Sequence, residues 1–412
     1  MTDSQLKRVA VTGLGIISSI GNSVAEAETS LRTGKSGITF APDYAERGFR
    51  SRVKGAVNFD LANNIDRRTL RFMGPGSAYA WLAAKQAISD SGLSENDIAS
   101  PTTGLVAGSG GPSTSNQVEA ARILAETGSP KRMGPYMVPR CMSSGLSANL
   151  ATALKLRGPS FSISSACSTS AHCILVAADY IKRGMQEIML AGGGEELHWS
   201  LSMLFDAMGA LSSGFNERPE NASRPYDKDR DGFVISGGAG MLVLEAWDRA
   251  RARGAHIWAE LVGGGITSDG VDMVAPSGEG AARCMREALG CLEGGEAVDY
   301  INTHGTSTPV GDGVELNAIG EVFGENVPPL SSTKSLTGHA QGAAGAIEAV
   351  FSLLSLRGGF CPASANLDEP DETARRFPIV RGEMLKAPLS VVFSNSFGFG
   401  GTNCTLAFRS AS

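Results

Sequence analysis

No two of the seven cysteines in this 412-residue chain stand at C-x-x-C spacing, and their number is odd. That pattern excludes a disulfide framework and fits a reducing compartment. Zinc-site signatures are missing as well: there is no H-E-x-x-H and no paired Cys/His spacing. The opening residues, Met1-Thr-Asp-Ser-Gln-Leu-Lys-Arg8, carry no apolar signal region, and no apolar run is long enough to span a bilayer. A cytoplasmic location without a membrane partner is therefore expected. Basic charge is not in excess either. A net charge of −6 and a pI near 5.5 argue against nucleic acid as a partner. Two phosphate-binding look-alikes each lack a defining glycine. Gly34-Lys35-Ser36 has Thr29 where a P-loop needs glycine, and Gly13-Leu-Gly15 meets Ser18 instead of a third glycine. The latter reads as a structural turn.

What is present describes a large α/β protein: 42% hydrophobic residues, 19% charged and 52 glycines. Strand-like runs fall at 8–12, 104–107, 160–164, 187–191 and 239–245, then at 257–263, 300–303, 330–332, 391–394 and 405–409. Helical stretches such as 78–91 and 170–182 separate them, which predicts parallel sheet with crossover helices. The two series look alike. Ser160-Phe-Ser-Ile-Ser-Ser-Ala-Cys167 leads into an Ala-rich helix, as does Leu330-Ser-Ser-Thr-Lys-Ser-Leu-Thr-Gly-His339. An internal duplication follows, with halves 1–253 and 254–412 and two equivalent strand-to-helix turns converging on one pocket.

Cys167 sits on the first of those turns among small residues. First-turn N–H groups and the helix dipole there favour a thiolate. His172, five residues later, lies about 140° around the same helix and points away. His198 and His256 have no reactive neighbour in sequence. His304, in Asn302-Thr-His-Gly-Thr-Ser-Thr308, and His339 both follow strand ends, where α/β proteins place their sites. Phe397-Gly-Phe-Gly-Gly-Thr-Asn403 is either a tight turn or a loop that presents backbone N–H groups.

Taken together, Ser165-Ala-Cys167, Thr306-Ser-Thr308 after His304, Lys334, Gly338-His339 and the glycine loop resemble the β-ketoacyl-acyl-carrier-protein synthases, over nearly the whole chain. The resemblance implies a thiolase-like fold, a duplicated five-layer α-β-α-β-α sandwich, usually as a homodimer. It implies that Cys167 holds the acyl chain, that the N–H groups of Cys167 and Phe399 form an oxyanion hole, and that His304 and His339 hydrogen-bond a malonyl thioester. Lys334 either orients His339 or the malonyl carboxylate, or is paired in a buried network with Glu348. Thr306 and Thr308 match phosphopantetheine contacts, Phe399 a gating ring between Gly398 and Gly400, and Gly111 the acyl pocket. No cofactor is required; Asn302, Glu348 and Asn403 match positions around an optional monovalent cation. Arg67, Arg68 and Arg71, extended by Lys131 and Arg132, match a docking patch for an acidic acyl carrier protein.

Within the family, the motif around Gly192–Trp199, the Phe205–Leu211 run and Gly111, where type II enzymes carry more bulk, look like the type I elongating synthase. The alternatives are a type II or polyketide-type synthase, or a non-enzymatic chain-length-factor subunit, which would lack Cys167. Ser168 in place of alanine and Ala340-Gln341 depart from the commonest type I pattern.

Overall fold

Ten strands form one mixed sheet whose order repeats about its centre. The computed structural model describes residues 6–411, among which no helix is long and apolar enough to cross a membrane. From one edge the strands run Leu330–Ser331, Tyr300–Asn302, Val391–Gly398, Thr402–Arg409 and Ala259–Ser268. They continue as Val9–Ile17, Gly238–Ala246, Ile188–Glu195, Thr103–Gly108 and Ser160–Phe161. In each half the outer three strands pair in parallel and the inner two antiparallel. The halves meet antiparallel through Ala10–Glu260 and Val11–Ala259. All ten strands fall on the runs expected from sequence. The expected parallel pairing holds only for the outer strands; the inner ones pair antiparallel, joined in one half by the tight turn 399–401 and in the other by the long connection 196–237.

Helices bury the faces of both half-sheets, giving the expected α-β-α-β-α layering. Thr169–Lys182 and Ala344–Gly358 form the middle layer; the second is buried on every side except near its end, as a helix apolar all round must be. Pro75–Ser91 covers the N-terminal half-sheet through Ala80, Ala83, Ala84 and Ala87, while Glu279–Leu289 and Gly311–Phe323 cover the C-terminal one. These contacts correct one sequence expectation. Gly13-Leu-Gly15 is no turn but lies inside Val9–Ile17, where a Cβ at Gly15 would stand 1.8 Å from the Ala83 carbonyl oxygen. Gly265, on the equivalent strand, meets the Cys284 carbonyl oxygen at 2.0 Å in the same sense. Close backbone approach, not phosphate binding, explains both. Gly34 of the other look-alike simply ends helix Val24–Thr33 in the left-handed conformation, φ 65°.

Candidate active site

Six parallel strand ends, three from each half, open onto one cavity of about 550 Å³. Its lining includes Gly111, Cys167, His304, Thr306, Thr308, His339, Gly398 and Phe399. Cys167 reaches it from a sharp turn. Ala166 has φ 50°, a left-handed conformation uncommon for a residue with a side chain, and it swings the next residue into the cavity. Helix Thr169–Lys182 starts two residues later. Hydroxyls brace this turn: Thr169 Oγ1 accepts from Ser165 N at 2.8 Å, and Ser165 Oγ lies 2.7 Å from His172 Nδ1. His172 thus points away from the thiol, as its helical offset implies, and its Nε2 lies 3.2 Å from the Asn403 carbonyl oxygen. Ser168 Oγ shares its one proton between the carbonyls of Ser396 at 2.9 Å and Thr402 at 2.8 Å, tying the nucleophile turn to both strands of the glycine hairpin. Alanine at this position could not make that tie.

Burial decides the charge state of the site. It pushes the Cys167 thiol up to about 11, against the opposing pull of the Lys334 charge and the N–H groups of Phe399 and Cys167. The helix-dipole argument for a resting thiolate is therefore outweighed by desolvation. Those two backbone N–H groups thus lie close enough to the sulfur to act on it. His339 Nε2 lies 3.0 Å from Cys167 Sγ, and the His304 and His339 rings stand edge to face with centroids 5.3 Å apart. Burial first and Lys334 second hold both imidazoles well below the usual histidine range, so both are neutral. The sulfur and one nitrogen from each histidine lie within 4.8 Å of one another. Three such atoms could also surround a metal ion, but N–H donors aimed at the same point favour a reacting atom that becomes negative.

Each histidine is fixed through its backbone. His339 N donates to the Val234 carbonyl at 2.7 Å, and its carbonyl accepts from Ser236 N at 2.9 Å. His304 is held by Glu315, whose carboxylate accepts from His304 N at 2.8 Å and Gly305 N at 2.7 Å. Asp312 does the same for Ser307 at 3.0 Å and Thr308 at 3.3 Å. Burial raises both carboxyls, Asp312 to about 6. Sequence reading missed this pair. The available signal was Asp312 and Glu315 opening a helix just after the His304 loop, where carboxylates can gather loop N–H groups.

Lys334 is fully buried and ion-paired with Glu348, so of the two sequence readings the structure contains the paired network. It does not line the cavity; its charge reaches both histidines and the thiol through the interior. The cation set fares less well. Asn302 donates to the Glu348 carbonyl at 3.4 Å, and the buried Glu348 Oε2 and Ser394 Oγ have no partner. Ser394 is the strand neighbour of Asn302. Asn403 is engaged elsewhere, donating to Asp269 at 2.7 Å. Asn302 and Glu348 thus fit an oxygen-lined site with Ser394 beside Asn302, while Asn403 stands beside Phe397, three residues further along that strand.

In the glycine loop, a Cβ at Gly398 would stand 2.7 Å from Thr402 Oγ1 and 3.0 Å from Cys167 N, so only glycine allows this approach to the nucleophile. Gly400 lies in the turn, φ 81°, outside the cavity lining, and bonds the Met273 carbonyl. Phe399 is partly exposed, 6.3 Å from the Phe205 ring. Gly111 faces open space: a Cβ there would meet nothing within 4 Å. Thr306 and Thr308, also in the lining, pair through their hydroxyls at 3.1 Å. Arg67, Arg68 and Arg71 are exposed on and just after the short helix Arg67–Leu70, with Arg71 stacked over Phe72 and Tyr136. Lys131 and Arg132 are exposed on the turn Pro130–Met133. His198 caps helix Trp199–Met208, and His256 packs on Trp258 beside Arg357, both outside the cavity lining.

Comparison with known proteins adds a family to this geometry. Residues 6–250 match the model of the beta-ketoacyl synthase N-terminal domain, and residues 258–368 that of the C-terminal domain. The chain is 54% identical over 405 residues to 3-oxoacyl-[acyl-carrier-protein] synthase 1 of Escherichia coli, covering 98% of this chain and 99% of that one. It is 39% identical to 3-oxoacyl-[acyl-carrier-protein] synthase 2 of Vibrio harveyi, covering 98% of each. Among solved structures, a ketosynthase in complex with its type II polyketide acyl-carrier protein superposes with a TM-score of 0.90 at 31% identity, covering 99% of this chain and all of that one.

Proposed function

The chain belongs to the β-ketoacyl synthase family, and from that premise we propose that it is a type I elongating β-ketoacyl-acyl-carrier-protein synthase. The observation that carries the proposal is the meeting of Cys167 Sγ, two neutral histidines and two backbone N–H donors in one cavity. In the first half-reaction Cys167 Sγ attacks the thioester carbonyl of an acyl carrier protein. The N–H groups of Cys167 and Phe399 receive the oxyanion, each contributing about 3–4 kcal/mol. The carbon–sulfur bond to the carrier breaks, and its thiol departs with the proton that Cys167 gave up. In the second, His304 and His339 donate hydrogen bonds to the thioester carbonyl of malonyl carrier protein. The carbon–carbon bond to the carboxylate breaks, CO₂ leaves, and its electron pair forms an enolate. That carbon attacks acyl-Cys167 and expels the sulfur, which regains a proton. Neutral imidazoles suit this role, because they can donate without drawing the substrate carboxylate into an ion pair.

A β-carboxylate beside a thioester supplies its own electron sink, so the reading needs no metal or redox cofactor. A monovalent cation near Asn302 and Glu348 would be structural. Thr306 and Thr308 would contact the phosphopantetheine arm, Phe399 would gate the cavity, and Arg67, Arg68 and Arg71, with Lys131 and Arg132, would steer an acidic carrier protein by charge. A homodimer in the cytoplasm, with halves dividing at 253–254, completes the proposal. The open space at Gly111 and the higher identity to a synthase 1 than to a synthase 2 favour type I over the type II and polyketide readings. Cys167 itself speaks against a chain-length factor. The test is intact-mass measurement after mixing with acyl carrier protein thioester: wild type gains one acyl group, and Cys167→Ala gains none and loses condensation. Acylation of the alanine variant would overturn the assignment.

A further inference from the structure

Glu195 ends strand Ile188–Glu195 with its side chain buried against the acyl cavity, yet the chemistry above gives it nothing to do. Its carboxylate is the meeting point of two chain segments. Oε1 accepts from Ser109 Oγ at 2.7 Å; Oε2 accepts from Gly110 N at 2.7 Å and from Gly342 N at 3.0 Å. Gly110 and Gly342 touch across this oxygen, since a Cβ at Gly342 would fall 2.2 Å from Gly110 N. The first segment, 109–111, is the cavity wall that includes Gly111. The second is the turn Gln341–Ala343, which starts two residues past His339, where Gln341 has φ 51° and donates back to the His339 carbonyl at 3.3 Å. Gly110 also accepts from Ser164 Oγ at 3.1 Å, three residues before the nucleophile.

We propose that Glu195 is a positioning residue that pins the acyl-cavity wall to the His339 turn, so that one carboxylate sets both the room for the acyl chain and the placement of the imidazole. The proposal rests on the condensation reading above. Three hydrogens from two segments converge on one acceptor group, and among side chains of this length only a carboxylate offers acceptors at both ends. Burial raises this carboxyl to about 7, while Ser109, Gly110 and Gly342 pull it down by bonding the charged form. An amide in its place accepts at one end only: its oxygen would hold Gly110 N and Gly342 N by weaker, uncharged bonds, and its N–H₂ would have to reverse the bond to Ser109 Oγ.

The experiment compares wild type, Glu195→Gln and Ser109→Ala with saturated acyl carrier protein thioesters of increasing length and malonyl carrier protein. For Glu195→Gln we expect kcat of condensation to fall tenfold or more, with KM for malonyl carrier protein within twofold and the longest acyl chains lost first. Ser109→Ala should shift the same length profile by two- to threefold, and the double variant should lose less than the product of the two single effects. A wild-type length profile and kcat in Glu195→Gln, or equal loss on every chain length, would overturn the proposal. Should Glu195→Gln fail to fold, an unshifted profile in Ser109→Ala overturns it alone. Failure of wild type to form acyl-Cys167 would overturn the reading beneath it instead.

Discussion

The two halves of the molecule share a strand order but not a chemistry. Strand ends of the N-terminal half deliver Gly110 and Gly111, Cys167 and Glu195; the equivalent ends of the C-terminal half deliver His304, the Lys334–His339 turn and Phe399. The first half supplies a nucleophile and space, the second proton-bearing rings and an internal positive charge. Their supports differ in kind as well. Neutral hydrogen bonds from Ser165, Thr169 and Ser168 brace the Cys167 turn, whereas a buried ion pair, Lys334–Glu348, anchors the His339 turn. A duplicated frame thus tolerates divergent chemistry, because sheet pairing and helix packing fix where a strand ends without dictating the side chain that follows.

The sharpest way to break this contrast is to remove a brace from each side. Lys334→Ala leaves Glu348 charged or forced neutral in the interior and should cost about 3–5 kcal/mol of stability in denaturant unfolding. Lys334→Met with Glu348→Leu, which removes both charges, should recover most of that loss. If Lys334→Ala unfolds with wild-type stability, the ion pair is not what anchors the turn. Next in size is chemistry. His304→Ala removes one donor to the enolate and should slow malonyl decarboxylation by about 10²–10³, while Cys167 still takes an acyl group. Decarboxylation at the wild-type rate would show that the C-terminal half does not own that step. Smallest is the brace on the nucleophile side. Ser165→Ala deletes one neutral bond to His172 and should cost only about 1 kcal/mol. A loss equal to that of Lys334→Ala would erase the distinction between the two turns.

Much of this was legible in the chain itself. The ten strand runs, the resemblance between the halves, and Cys167, His304 and His339 all stand out because strands of this type are contiguous apolar stretches and their ends carry short polar motifs. Harder to see were contacts between residues far apart in the chain. Gly13-Leu-Gly15 looked like a turn because nothing local reveals that Ala83 lies against Gly15. Nor does the sequence reveal that Ser394 pairs with Asn302 while Asn403 pairs with Phe397. Asp312 and Glu315 left only the faint signal of carboxylates opening a helix after the His304 loop, and Glu195 left none, because its partners Gly110 and Gly342 lie on distant segments.

The sequence by itself determined an α/β chain with two similar halves and singled out Cys167, His304 and His339, since apolar runs and strand-end motifs are local properties. Tertiary structure alone decided their charge and their mutual placement. It buried the thiol until its pKa rose, held both imidazoles neutral beside Lys334, and gathered two distant segments onto Glu195. Desolvation and long-range hydrogen bonding exist only once the halves have closed around the cavity.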